Sequence, residues 1–369
     1  MSALRPAAVL AQVETDLRAL WTTPPAAGQA PKTRACTMNL VVVVARAALD
    51  RWGPIVDEVL QEVPARAVVV GLDPEGDDAL EASVSAVCTP GSGTIVCSER
   101  VTLQIGGSLC ARVASCVDAV CASDVPTTLV WPGRVRVDDP AFAPLARSSY
   151  RVVLEASNGP IASLGNVLRW AQARPAGERP GVAELAWTRL APWQEFCARM
   201  FDDERTRPLA SAVTRVRLVQ ALAAGATLGT EGALMLGWLG TRLGWKASSM
   251  AGKLQVLRSD GAPIQAQLQA AASAATAARG ALLAVEIEAS RGTVVVRGEV
   301  ARSADAAGTW RLAITTAGET QRVEQHVRTF DGDAARTLER TLRRPVLDEA
   351  LAESVAWAAE LGGDDLACA

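Results

Sequence analysis

Apolar residues recur at spacings of three and four through residues 5–21, at Val9, Val13, Leu17, Leu20 and Trp21, and that period predicts an amphipathic helix. A polar, proline-bearing break from Thr22 to Lys32 follows, and then the pattern changes. Met38 to Val44 is a short apolar run rich in valine, the pattern of a strand buried on both faces. A helix through Val56, Val59 and Leu60 leads to a second such run, Ala67 to Leu72. Residues 80–88 and 94–105 are expected as two more strands, joined by the turn Pro90-Gly91-Ser92-Gly93. Gly106-Gly107-Ser108 comes next, with Ser108 placed as the N-cap of a helix over Leu109 to Ala122. Thr127 to Trp131 and Arg151 to Leu154 are the last strands of this half, and a helix from Ile161 to Ala173 closes it. Strands alternating with helices predict an open, three-layer, Rossmann-like α/β sheet.

Residues 174–181 combine two prolines and two glycines with charges, which marks a linker and divides the chain into an N-terminal domain over 1–175 and a C-terminal one over 182–369. Beyond the linker, Ile264, Ala266 and Leu268 alternate with Gln265, Gln267 and Gln269, and Val285, Ile287 and Ala289 alternate with Glu286 and Glu288. With Thr293 to Val300, Thr309 to Thr315 and Gln321 to Arg328, roughly five half-polar strands are expected, the pattern of a mainly antiparallel sheet with one wet face. Helices over 183–202 and 230–245 supply its cover, and Asp333 to Arg343 and Val346 to Leu361 end the chain as helices. Leu218 to Gly240 is the most apolar stretch, but Gln220, Thr227, Thr230 and Glu231 interrupt it, so it reads as a buried helix pair and not a membrane span.

Composition narrows the chemistry. The 369 residues are 49% apolar, which excludes a disordered chain. Residues 1–175 carry 15 Lys+Arg against 17 Asp+Glu and the remainder 22 against 23, so neither half offers nucleic acid a basic surface. Glu14 and Asp16 fall where a secretory signal would be uncharged. Eight cysteines without a CxxC pair indicate a cytosolic protein with mostly reduced thiols. Ten Trp stand against one Tyr and one His, His326, so most acid/base and metal-ligand options are missing.

Gly91-Ser92-Gly93 begins like a dinucleotide fingerprint, but it lies between two strands and lacks the third glycine. Gly106-Gly107-Ser108 sits between a strand and a helix, and is the candidate anion-binding turn, against the plain reading of a tight turn. The same residues approach a nucleophile elbow, yet Cys110 replaces its last glycine and the available base, His326, lies on a solvated strand. Cys110 and Cys121 are eleven apart, on one helix face, and read as small buried side chains. No metal site and no cofactor are expected. Asp77-Asp78 and Asp138-Asp139 read as solvated loops and helix caps. Pro192 between Trp187 and Trp193 is expected to break and restart a helix. The two indoles are either core or anchors for a partner. Trp131, Arg134, Arg189, Trp193 and Gln194, at strand ends and helix breaks, are the residues expected to be offered outward to it.

Several segments resemble one family, OpcA, the assembly protein and positive effector of glucose-6-phosphate dehydrogenase. They are Thr33 to Val42, Pro64 to Val68, Cys97 to Leu103, Asp124-Val125-Pro126-Thr127-Thr128-Leu129-Val130-Trp131-Pro132, the Trp187/Trp193 segment, and Glu231 to Leu239 with Leu243-Gly244-Trp245. The likeness spans both expected domains in the family's order and weakens beyond about residue 255. It implies a two-domain α/β protein without activity of its own that binds the dehydrogenase, favours its active form and so supports NADPH supply. Thiol control of the kind ascribed to some members is not carried over, since Cys368 stands alone near the C-terminus. The rival expectation is an enzyme that binds a nucleotide or sugar phosphate on the N-terminal sheet.

Overall fold

Unbroken valine runs and alternating strands are both realised. The computed structural model describes residues 6–22, 32–90, 94–156, 160–223, 226, 228–250, 253–271, 280–302, 307–316, 318–328 and 333–360. Two compact units form. One comprises Met1–Leu154, Trp170–Ala183 and Ala334–Leu347, the other Glu155–Arg169, Glu184–Asp333 and Asp348–Ala369.

The elements run α1 (Pro6–Thr22), β1 (Lys32–Arg34), β2 (Asn39–Ala45), α2 (Leu49–Glu62), β3 (Arg66–Asp73), β4 (Leu80–Pro90), β5 (Ile95–Gly106), α3 (Val113–Asp118), β6 (Thr127–Trp131), α4 (Phe142–Ser148), β7 (Arg151–Leu154), α5 (Ile161–Gln172), β8 (Gly181–Glu184) and α6 (Leu185–Arg199). They continue β9 (Val213–Ala221), α7 (Thr230–Leu243), β10 (Lys246–Met250), β11 (Lys253–Leu257), β12 (Pro263–Ala271), β13 (Leu282–Arg291), β14 (Val294–Arg302), β15 (Ala307–Thr316), β16 (Glu319–Arg328), α8 (Ala334–Arg343) and α9 (Glu349–Glu360).

The first sheet has the order β1-β5-β3-β2-β6-β7-β8, with β4 antiparallel on β5. β2 pairs in parallel with β3 on one side and β6 on the other, so the strand order reverses at β2. Leu40, Val41 and Val42 of β2 and Ala67, Val68 and Val70 of β3 are fully buried, as a two-faced interior strand demands. Arg151, buried on β7, donates to the carbonyls of Thr341, Leu342 and Arg344 and so satisfies the C-terminal end of α8.

The second sheet has eight strands in the order β10-β11-β12-β9-β13-β14-β15-β16, all antiparallel except the β12/β9 pair. α6 packs on β13 and β14, α7 on β9, and α9 on α7. Close approach of α7 and α9 requires Gly237 and Gly240. A Cβ at Gly237 would meet the Ser354 carbonyl oxygen at 2.2 Å, and one at Gly240 the Trp357 ring at 2.3 Å.

Several expectations need correction. Leu218 to Gly240 is not a helix pair: it begins in β9 and ends in α7, because a short apolar run has no period that separates strand from helix. β9, β10 and β11 raise the second sheet from the five strands expected to eight, and β1, α4 and β8 are not legible in the pattern. The helix expected over Leu109 to Ala122 is a 3-10 turn, Gly107–Arg112, followed by the short α3. Ser108 does not cap it. The expected turn Pro90-Gly91-Ser92-Gly93 lies largely outside the described residues. Cys88 and Cys97 stand directly opposite in the β4/β5 register and are joined by a disulfide, so the expectation of reduced thiols holds for Cys36, Cys110, Cys116, Cys121 and Cys197 but not for this pair. No helix among the described residues is long and apolar enough to cross a membrane.

Candidate functional site

A cavity of about 640 Å³ opens in the first unit where the strand order reverses, at the C-terminal ends of β2, β3 and β6. Open α/β sheets bind ligands at this position, since the loops leaving the two flanking strands diverge there. Its apolar wall includes Val43, Val44, Trp52, Leu72 and Trp131. Arg51, in the first turn of α2, and Arg134, in the loop after β6, also line it, and both are exposed.

The loop after β2 reads Ala45-Arg46-Ala47-Ala48-Leu49 and contains no glycine. Leu49 leans onto β3, where a Cβ added at Gly71 would lie 2.4 Å from its Cδ1. A dinucleotide fingerprint needs glycine here so that backbone N–H groups can reach a pyrophosphate. In this chain, alanine and leucine side chains block that approach.

The candidate anion turn is also filled from within. Ser108 donates its N–H to Asp78 Oδ1 at 2.6 Å and its hydroxyl to Asp78 Oδ2 at 2.8 Å. Gly106 and Gly107 let the β3–β4 loop come this close: a Cβ at Gly106 would stand 2.3 Å from the Asp77 carbonyl oxygen, and Gly107 has φ +60°. The hydrogen bonds from Ser108 hold the Asp78 carboxyl below its ordinary range. Asp139 matches the capping expectation, its Oδ1 accepting from the N–H groups of Ala141 and Phe142 at the start of α4.

The five residues expected to face outward divide. Trp131 is buried against Phe142, edge to face at 5.3 Å, and its indole donates to the Arg134 carbonyl. Arg134 is exposed as expected. In the second unit Trp193 is buried, and so is Trp187, whose indole donates to Asp348. Arg189 is held between Glu231 at 2.8 Å and Glu155 at 3.3 Å. Gln194 is half-buried, with its Nε2 enclosed and without a hydrogen-bond partner. Outward presentation is therefore corrected for Trp131, Trp193 and Arg189. The expected break at Pro192 does not occur either, and α6 runs through it. Proline in a helix interior costs about 3 kcal/mol, while each large side chain buried from α6, among them Trp187, Leu190 and Trp193, returns roughly 1.5–3 kcal/mol.

Sequence reasoning passed over two groups. Arg51 shares the first turn of α2 with Asp50, an ordinary mixed-charge helix start that gives no sequence signal of its place in the cavity lining. Glu184 caps α6, accepting from the N–H groups of Ala186 and Ala156, and burial pushes its carboxyl up to about 8. A glutamate just before an apolar helical run was its only trace. Burial raises the Cys110 and Cys116 thiols, and takes Cys121 to about 12. His326 is exposed on β16. No group of side chains among the described residues is arranged to hold a metal ion.

Residues 56–169 match the profile described as the glucose-6-phosphate dehydrogenase subunit N-terminal domain, and residues 180–355 that of the corresponding C-terminal domain. A Nostoc punctiforme protein provisionally named OxPP cycle protein OpcA is 28% identical over 207 residues, which cover 55% of this chain and 43% of that protein. Its Synechocystis counterpart, under the same provisional name, is 25% identical over 321 residues, covering 82% and 64%. The chain thus matches less than two thirds of the length of these relatives. Among solved structures, glucose-6-phosphate 1-dehydrogenase from Mycobacterium avium aligns with TM-score 0.51 at 10% identity, over 88% of this chain and 91% of that one. The 3-ketoreductase KijD10 from Actinomadura kijaniata aligns with TM-score 0.50 at 9% identity, over 88% and 96%. These two likenesses are of fold alone.

Proposed function

The chain belongs to the OpcA family of glucose-6-phosphate dehydrogenase subunits, and from that membership we propose that it binds glucose-6-phosphate dehydrogenase in the cytoplasm and favours the enzyme's active form, with no turnover of its own. The match of both domain profiles, together spanning residues 56–169 and 180–355, carries this reading. Its consequence is a supply of NADPH from the oxidative pentose phosphate pathway that responds to this protein.

The first unit supports the non-catalytic half of the proposal. It has the sheet order of a dinucleotide-binding domain but no glycine in the loop after β2, and Asp78 takes the place of an external anion at Ser108. An enzyme acting on a nucleotide or sugar phosphate at that turn is correspondingly the weaker reading. Of the five residues expected at the partner surface, Arg134 and Gln194 keep solvent access and are proposed as contacts.

An activator acts by binding one conformer of its partner better than the other. A coupling of roughly 1–3 kcal/mol changes the partner's apparent substrate affinity about 5- to 150-fold. Purified chain mixed with the dehydrogenase from the same cell is expected to co-elute with it and to alter the kinetics of NADPH formation. Separate elution and unchanged kinetics would defeat the proposal.

A further inference from the structure

Each of the two connections bracketing the strand-order reversal contributes one arginine to the cavity, Arg51 from the first turn of α2 and Arg134 from the loop after β6. Among the described residues neither guanidinium has an ion-pair or hydrogen-bond partner. Arg51 sits in the first turn of α2, which also carries Asp50, so the acidic side chain favoured at a helix start is already present and Arg51 is left to face the cavity. Behind the two cations lie Val43, Val44, Trp52, Leu72 and Trp131. An occupant that satisfies both parts has an anionic end and a planar apolar body.

We infer that this cavity binds a nucleoside 5′-monophosphate, with its phosphate on Arg51 and Arg134 and its base against the apolar wall. A sugar phosphate fits poorly, because the wall would strip water from its hydroxyls without pairing them. A dinucleotide fits poorly as well. Its pyrophosphate requires close backbone approach, which the side chains of Ala45 to Leu49 prevent, and the N–H of Ser108 is already given to Asp78. A single phosphate needs no such cradle, since guanidinium groups bind it in a bidentate manner at side-chain reach. Asp139, with one oxygen held by backbone N–H groups, is the carboxylate of the lining suited to a ribose hydroxyl. The cavity volume of about 640 Å³ accommodates such a ligand.

The inference rests on the first unit's geometry; because Arg134 is also proposed as a partner contact, it is tested on the chain alone, without the dehydrogenase. Isothermal titration of the purified chain with AMP, GMP and UMP, each beside its nucleoside, ribose 5-phosphate and NADP+, tests it. At least one monophosphate is expected to bind saturably. Its nucleoside is expected to bind about tenfold more weakly or worse, since charged hydrogen bonds contribute on that scale, and so is ribose 5-phosphate, which forgoes burial of the base against the apolar wall. Arg51→Ala and Arg134→Ala should each weaken the monophosphate by a similar factor of about ten, with unchanged melting temperature because both side chains are exposed. Three results would overturn the assignment: no monophosphate binding below about 1 mM, ribose 5-phosphate or NADP+ binding as tightly as the best monophosphate, or both arginine variants binding it like the parent.

Discussion

Asp78 grips Ser108 with both carboxylate oxygens, Oδ1 on the backbone N–H and Oδ2 on the hydroxyl. An internal carboxylate thus sits where a turn of this sequence would otherwise offer its donors to an external anion. The arrangement depends on Gly107, whose φ of +60° few side chains adopt and whose absent Cβ would lie 2.2 Å from Asp78 Oδ1. Because hydrogen bonding from Ser108 depresses the Asp78 carboxyl in the folded state, whatever this contact contributes is present above the ordinary value of 3.8 and is lost as pH falls through the depressed one.

Gly107→Ala is expected to destabilise the first unit by about 1–3 kcal/mol through strain and collision. Chemical denaturation compared with Gly177→Ala, at a position with open space for a Cβ, measures it. Equal midpoints for the two variants would remove the close approach from consideration.

Arg189 is enclosed between Glu231, 6% exposed at its side chain, and Glu155. Glu231 also accepts the Leu282 N–H, so the carboxylate ties α7 to the start of β13. Removing the cation strands buried negative charge, and Arg189→Ala should cost about 3–5 kcal/mol. A loss no larger than that of an exposed pair such as Arg242–Glu353 would show that solvent screens this cluster.

Glu184 has its folded-state carboxyl raised to about 8 by burial, against an ordinary 4.5. Between those values the folded chain holds a proton that the unfolded chain has released. The stability linked to Glu184 is therefore complete below pH 4.5 and is lost as pH rises through about 8. Melting curves should show this decline between pH 5 and pH 8 in the parent, and a flatter one in Glu184→Gln. Parallel profiles for the two proteins would mean that Glu184 ionises freely.

α7 and α9 touch through glycine. Gly237→Leu would drive a side chain into the Ser354 carbonyl, and overpacking of this kind costs about 1–3 kcal/mol or more. The melting temperature of the second unit should fall, with far-UV circular dichroism little changed at low temperature. An unaltered melting temperature would be falsifying for the contact.

Much of the architecture was legible in local pattern. The valine run of β2 and the Ile287/Glu288 alternation of β13 report how many faces of a strand are buried, and burial is what selects those side chains. The cap at Asp139 was legible for the same reason, because a cap is satisfied by N–H groups two and three residues away. β9 was not, since its apolar run fits either period until the strands on both sides of it are known.

Local pattern alone thus determined the class of both sheets and the scarcity of catalytic side chains, properties that depend on residue type and near neighbours. Tertiary structure decided the rest. Asp78 meets Ser108 across 30 residues, Cys88 faces Cys97 through a sheet register, and Trp131 and Trp193 turn inward although they stand beside prolines. Arg51 and Arg134 become one site because β2 and β6 are neighbours in the sheet while far apart in the chain. The reason is physical: hydrophobic period is written into each segment, whereas the pairing of distant polar groups depends on which strands lie side by side.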